Sequence, residues 1–395
     1  MSSLFLQLLA VVSINLKSLP QRRWISLSTV VAIALVVVVL LGFLAMANGF
    51  ERTIAGSGAD DIAVVLRPGS RAEINSSVAF EQVRLIEDAP GIARGDDGKP
   101  LVSPELYIIV NGVKRDSRTK ANVPLRGIGE KGAELRKDVE LSAGRMFRRG
   151  TNEIVVGKAL LKQFEGFDLG SIVNFGTTRW TVVGVFEAGG GVFESEVWAD
   201  LPVVQSMFRW DNQFQTVRAR LTGPSGLSVL QAYNNGDPRL KLEIKSERDY
   251  FSDLASQTTD LIQKLGWPLA IAMAIGALAG ALNTMYSSVA ARAVEIATLR
   301  AIGFGTFPAF VGTMAESLVL AAVGGLIGAA ATFLIFDGAS ASTLGGNFTQ
   351  VVFDFKLSPM LIAEGLAMAL CVGLFGGIFP ALRSARMPIV AGLAS

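Results

Sequence analysis

The chain has 395 residues, half of them hydrophobic and only 18% charged, with a mean hydropathy of +0.44. Soluble domains carry roughly 25% charged residues, and the shortfall here is local: 28 of the 36 bases and 29 of the 34 acids lie between Glu51 and Lys264. Histidine is absent and cysteine occurs once, which excludes Ser-His-Asp and Cys-His catalysis, histidine-ligated metals, a histidine pH switch and an internal disulfide.

A charged block between nearly charge-free flanks predicts an integral membrane protein with one sizeable water-exposed domain. The flanks amount to 181 residues holding 8 bases and 5 acids. The block has a net charge of −1 and the remainder +3, so nothing points to nucleic acid.

Residues 3–14 (Leu4, Phe5, Leu8, Leu9 and Val12 with Gln7 and Ser13) are too short to cross a bilayer. They suit a helix lying along the inner face, ended by Pro20. A membrane span needs about 20 apolar residues, and Trp24 to Phe50 is the first such run. Ala45-Met46-Ala47 resembles a signal-peptidase site, but the apolar core is about twice the usual signal length, so an uncleaved anchor is expected.

In the charged block, Asp61–Leu66, Leu106–Val110 and Glu153–Val156 read as strands, and Ile172–Phe175 with Trp180–Phe186 as a hairpin. Ser77–Asp88, Lys158–Phe164, Leu227–Asn234 and Glu247–Gln263 read as helices, an α+β mixture of short elements. The last helix runs straight into the second span, Leu265–Ala291. The third span, 307–336, is broken only by Glu316, and the fourth, 359–382, carries Glu364 near its start. The expected architecture is an α-helical membrane bundle of four transmembrane helices plus an α+β extracytoplasmic domain between helices 1 and 2. Its regions are 1–50 (inner-face helix and first span), 51–264 (outer domain) and 265–395 (spans two to four).

Seven bases (Lys17, Arg22, Arg23, Arg292, Arg300, Arg383 and Arg386) fall on one side of that arrangement against one acid, Glu295. The opposite short loop holds Lys356 with Asp337 and Asp354. The positive-inside bias therefore places both termini and the 292–306 loop in the cytoplasm, and 51–264 outside.

Few residues suggest chemistry. Gly189-Gly190-Gly191 reads as a turn, and no G-x-x-x-x-G-K-[ST] loop occurs. Glu194 and Glu196, two apart on an expected strand, read as a solvated face, and Asp60-Asp61 lacks the oxygens Ca²⁺ needs. Cys371 reads as a small buried hydrophobe. No catalytic or metal site and no cofactor is assigned. Gly276/Gly280, Gly324/Gly328 and Gly373/Gly377 are each G-x-x-x-G within a span, a spacing that lets helices approach closely. An intramembrane carboxylate such as Glu316 is costly and faces the bundle or a polar cavity, so it either packs or couples spans.

Three stretches carry a family resemblance. Arg292, Glu295, Ile296, Leu299, Arg300, Ala301, Ile302 and Gly303 fall as in the R-x-x-E-I-(G)-x-x-[RK]-A-[IV]-G loop of FtsX-like permeases, with Ala297 where glycine is common. Glu316-Ser317, Gly324-Gly325 and Gly328 resemble the E-S…G-G-x-x-G third span of that family. Gly377, Pro380, Ala381 and Pro388 resemble its terminal G-x-x-P-A-x-x-A-x-x-x-P signature, with Ser384 at the second alanine. In the outer block, Leu141, Gly144, Arg145, Phe147, Gly157, Gly170 and Thr181–Val185 look like the extracytoplasmic domain of MacB-type transporters.

The resemblance implies the permease subunit of a MacB-type (type VII) ABC transporter in a bacterial inner membrane, working as a homodimer or heterodimer. MacB carries a fused ATPase; this sequence opens at the membrane, as LolC, LolE and FtsX do, so a separate ATPase subunit is expected. Residues 292–303 are then the ATPase-coupling loop, and Glu247–Ala291 can relay its movement. Export of a hydrophobic or amphipathic compound, with a periplasmic adaptor and an outer-membrane channel, is the leading expectation. Lipoprotein or lipid extraction and FtsX-like activation of a cell-wall hydrolase stay open.

Overall fold

The computed structural model describes residues 2–19, 23–136, 138–344 and 350–388. Pro20 and Arg22, read above as a helix stop and a flanking base, lie outside the described residues. The chain opens with helices α1 (Ser2–Ser18) and α2 (Arg23–Ala55). The outer block follows as β1 (Ile62–Leu66), β2 (Val78–Ala79), α3 (Phe80–Glu87), β3 (Val102–Lys114), β4 (Lys120–Ile128), β5 (Glu140–Gly144) and β6 (Glu153–Gly157). It continues with α4 (Lys158–Gln163), β7 (Phe164–Glu165), β8 (Ile172–Phe175), β9 (Thr178–Glu187), β10 (Val197–Asp200), α5 (Leu201–Phe208), β11 (Gln213–Phe214) and β12 (Thr216–Arg220). Then come α6 (Gly226–Gly236), β13 (Glu243–Ser246), α7 (Glu247–Ala291), α8 (Ala293–Ala301), α9 (Thr306–Phe336), the strand pair β14 (Ser340–Leu344) and β15 (Gln350–Asp354), and α10 (Pro359–Arg386).

Two compact units result: 49–260 with 340–354, and 1–48 with 261–339 and 355–395. The first is built on an 11-stranded sheet in the order β13-β1-β12-β3-β4-β10-β6-β9-β5, with β7 beside β3 and β8 beside β9. Strand β1 (Ile-Ala-Val-Val-Leu) is buried along its whole length, as a strand covered on both faces must be. The core is mainly aliphatic, with Phe164, Phe167, Phe175 and Trp180 forming one chain of ring contacts in it at about 6.3 Å. The hairpin β14–β15 was not expected from sequence, yet it belongs to this unit: Val352 N donates to Ser195 Oγ at 3.0 Å and Phe353 meets Phe50 edge-on.

In the second unit four helices, α2, α7, α9 and α10, are long and apolar enough to cross a membrane. Glycine sets their spacing. A Cβ on Gly324 would stand 2.9 Å from the Val30 carbonyl, and one on Gly328 2.7 Å from that of Ala34, so α9 meets the backbone of α2. A Cβ on Gly373 would strike Ala321 Cβ, and one on Gly377 would lie 2.7 Å from Ser317 Cβ, so α10 meets α9 equally closely. The third pair behaves differently: nothing lies within 4 Å of a Cβ at Gly276 or Gly280. Helix α7 instead turns Ala270, Ala277 and Ala281 inward and leaves Gly276 and Gly280 exposed. Cys371 is also exposed rather than buried, because Val372, Gly373, Gly376 and Gly377 hold the inner face of α10.

Candidate functional site

The 292–303 loop folds as α8, closed by Gly303 at φ +103, a backbone that glycine adopts without strain. Its first residue does not face water. Arg292 is 4% exposed and donates from Nη1 to Glu316 Oε2 at 3.1 Å, from Nε to Glu295 Oε2 at 3.2 Å, and from Nη2 to Asn15 Oδ1. Glu316, also 4% exposed, accepts a second hydrogen bond from Ser288 Oγ at 3.1 Å. Three helices and the loop thus meet at one ion pair: Asn15 on α1, Ser288 on α7, Arg292 at the start of α8 and Glu316 on α9.

A charge buried alone is expensive, and a buried pair is tolerated when hydrogen bonds satisfy its remaining donors and acceptors. Here they do. Arg292 uses all three guanidinium nitrogens and Glu316 both oxygens, so the arrangement holds one geometry. The neighbouring Ser317 donates from Oγ to the Gly373 carbonyl at 2.6 Å and so fastens α9 to α10.

The charged face expected on the loop is therefore rearranged. Arg292 points inward to Glu316, and Arg300 is half-buried, donating to the Met387 carbonyl at the end of α10. Ile296 and Leu299 are half-buried. Val294, Glu295, Thr298 and Ala301 form the exposed surface of α8, with Ile302 exposed just beyond its end. Pro380 is buried inside α10, where its ring leaves one backbone carbonyl without its helical donor. Gly276 and Gly280 take no part in the site.

The outer unit holds a second buried ionic cluster, which the sequence did not reveal. Arg126, Arg136 and Arg218 face Glu73, Glu105, Glu196 and Glu247, three positive groups against four negative, all nine-tenths or more buried. Arg126 donates to Glu196 at 2.7 Å and to Glu73 at 2.8 Å; Arg218 donates to Glu73 at 2.9 Å and to Glu247 at 3.0 Å. Arg136 meets Glu105 with two hydrogen bonds of 2.8 Å and lies over the Phe193 and Trp198 rings. Burial alone would raise Glu105, but Arg136, Arg218 and Arg126 outweigh it and hold the carboxyl down at about 2. Glu73 is lowered against its burial by Arg126 and Arg218.

This cluster corrects one sequence expectation. Glu196 is not on a solvated face; it is buried on Arg126 and accepts from Trp198 Nε1 at 2.8 Å. Glu194 lies on a one-turn 3-10 helix and accepts from the Ala188 and Gly190 amides, closing the Gly189-Gly190-Gly191 turn. Asp60 and Asp61 are engaged by Arg248 and Arg220.

An α+β outer unit and a unit with four apolar helices, the latter with a short helical loop pinned by a buried ion pair, define a multi-pass membrane permease. Family models agree: residues 26–233 match the MacB-like periplasmic core domain and residues 268–389 the FtsX-like permease C-terminal domain. The chain belongs to this MacB-type, FtsX-like permease family. It is 24% identical to the macrolide export ATP-binding/permease protein MacB of Azoarcus sp. over 96% of its own length and 58% of that protein. It is 26% identical to MacB 1/2 of Paracoccus denitrificans over 84% of its length and 53% of that protein. The chain thus spans about half the length of the curated relatives it matches, corresponding to their permease part. The crystal structure of the extracellular domain of the noncanonic ABC-type transporter YknZ from Gram-positive bacteria is similar over 47% of this chain and 99% of that one, at 17% identity and a TM-score of 0.34.

Sequence reasoning found Arg292, Glu295 and Glu316 but missed Asn15 and Ser288. Asn15 is a polar residue on the expected inner-face helix, and Ser288 lies one helical turn before Arg292. Both signals were present, and neither is specific without the fold.

Proposed function

We propose that this chain is the permease subunit of an ATP-driven transporter of the inner membrane, whose separate ATPase subunit docks on α8. Both termini and α8 lie in the cytoplasm and residues 51–264 lie outside. The observation that carries the reading is the Arg292–Glu316 ion pair. It ties the start of α8 to α9, α7 and α1, while Val294, Glu295, Thr298 and Ile302 remain exposed for a partner. A force applied to that face is transmitted to the spans rather than absorbed by a loose loop.

The cargo is a hydrophobic or amphipathic compound, handed to a periplasmic adaptor and outer-membrane channel; the macrolide-export names of the relatives support this class. The working unit is a dimer of permeases, either two copies or this chain with a second permease, flanked by lipid. The unpartnered Gly276/Gly280 face of α7 suits close approach of another helix.

Glu295→Lys tests the docking. The side chain is 58% exposed and carries the one acidic charge on the free face. The substitution should abolish copurification with the ATPase, or uncouple hydrolysis from transport, while insertion stays normal. Headgroup binding by Arg300 would instead be unaffected or improved by an added base. Unchanged ATPase binding and transport would remove the docking assignment.

A further inference from the structure

Helix α1 touches the coupling segment at both of its ends. Asn15 Oδ1 accepts from Arg292 at the start of α8, and Gln7 Oε1 accepts from the Gly305 amide, just before α9, at 3.4 Å. The two side chains are eight residues apart, about 12 Å along a helix, so α1 brackets the 292–305 segment. The contact is close. A Cβ on Gly312 would lie 2.7 Å from Val11 Cγ1 and 2.8 Å from Asn15 Nδ2, and the void lined by Val11, Asn15, Arg292, Ile296 and Leu299 is only about 20 Å³.

The opposite face of α1 has no protein partner among the described residues. Phe5, Leu6 and Leu9 are 63%, 64% and 53% exposed. Chain length fixes what covers them. From Ser18 to Arg23, where the first apolar span begins, there are five residues, which reach at most about 18 Å. The helix therefore stays at the surface of the bilayer that α2 enters, with Lys17 at its end suited to headgroups.

We propose that α1 is a lipid-seated clamp: its apolar face lies in the cytoplasmic leaflet, and Gln7 and Asn15 act as positioning residues that fix where α8 is presented. The consequence for ATPase docking rests on the function proposed above, whereas the clamp itself is tested without an ATPase.

The test uses the full chain in a Cys371→Ser background, in nanodiscs of 3:1 phosphatidylethanolamine and phosphatidylglycerol. A nitroxide at Thr298, exposed on α8, reports the mobility of that helix. Gln7→Ala with Asn15→Ala should mobilise the label while thermal unfolding of the bundle stays within a few degrees. Asn15→Asp, which keeps the acceptor, should leave it immobile, and Gly312→Val, which pushes α1 away from the other side, should mobilise it again. A nitroxide at Leu9 should be reached by dissolved oxygen and shielded from a water-soluble nickel chelate. An unchanged Thr298 spectrum in the double variant, or a Leu9 label open to the chelate, overturns the clamp. With the ATPase added, the double variant should bind it about thirtyfold more weakly, as expected for losing two hydrogen bonds of about 1 kcal/mol each, with unchanged turnover at saturation. A mobilised α8 with undiminished ATPase binding would keep the clamp and dismiss α8 as the dock.

Discussion

The Arg292–Glu316 pair can be dissected by a double-mutant cycle. Glu316→Leu leaves Arg292 buried with Asn15 and a half-solvated Glu295, and strips Ser288 of its acceptor. Removing one partner of a buried pair costs about 3–5 kcal/mol, because the remaining charge is stranded. Glu316→Gln should cost less, on the order of 1–3 kcal/mol, since an amide oxygen still accepts from Arg292 or Ser288. Arg292→Met with Glu316→Leu removes both charges and should recover most of the stability, as apolar replacement of buried pairs often does. With either single change costing about 3–5 kcal/mol and the double change little, the cycle should therefore give a coupling energy of at least about 5 kcal/mol, read from thermal unfolding of the permease in nanodiscs. Transport should behave oppositely. The double variant, although stable, has lost the tie between α8 and α9, so ATP hydrolysis should continue without transport in proteoliposomes. Wild-type transport in the stable double variant would refute the reasoning and reduce Glu316 to a packing residue.

Three further outcomes are expected. Cysteine at Ser117, exposed in the outer unit, should react with an impermeant thiol reagent in spheroplasts of the Cys371→Ser background, whereas cysteine at Thr298 should not; the reverse would invert the topology. In the outer unit, Glu105 is held at about 2 against an ordinary 4.5, so it stabilises the fold above pH ~4.5 and that contribution is lost as pH falls toward 2. The difference is worth about 3 kcal/mol, and Glu105→Gln should lower the melting temperature at pH 7 and flatten its acid dependence, measured by calorimetry. Gly373→Val should disrupt the bundle, because its side chain would strike Ala321, while Gly276→Val should leave monomer stability intact; equal destabilisation in a denaturation assay would contradict the assigned helix faces.

The spans were legible because charge is absent from them, and α1 because its apolar residues are too few to cross. The Ile172–Phe186 hairpin and the Gly189–Gly191 turn were legible from local turn chemistry. Strand β4 was not, since Pro124 and the charged Arg126 interrupt the apolar run of a buried strand. Arg126 fits there only because Glu196 and Glu73, 70 and 53 residues away, reach it. The same holds in the membrane. Glu316 announced itself as an intramembrane carboxylate, but its partner is 24 residues distant and the Asn15 contact spans 277. Periodicity reports which face a residue occupies; it carries no information about which distant group completes a charge. The strand pair β14–β15 escaped for a related reason: the Val351-Val352-Phe353 run is short and lies between two spans, and its partner strand, Ser340–Leu344, has no comparable apolar run; the two become strands by pairing with each other against Ser195 and Phe50.

The need for an ion pair in the membrane unit follows from what surrounds it. Helices α9 and α10 meet along glycine, alanine and serine. Such smooth surfaces pack well but specify register weakly, because a shift of one turn, about 5.4 Å, sets small residues against small residues again. The Arg292–Glu316 contact is specific where the packing is not: at 3.1 Å it closes, and one turn away both charges are stranded in hydrocarbon. The pair therefore selects one register of α8 on α9 and makes departures from it discrete rather than gradual. A transmitter of mechanical work needs that property, since small displacements become useful only when packed elements have a few well-separated arrangements. Asn15 and Ser288 extend the same contact to α1 and α7, so that one ion pair and its hydrogen bonds hold all four elements in this register.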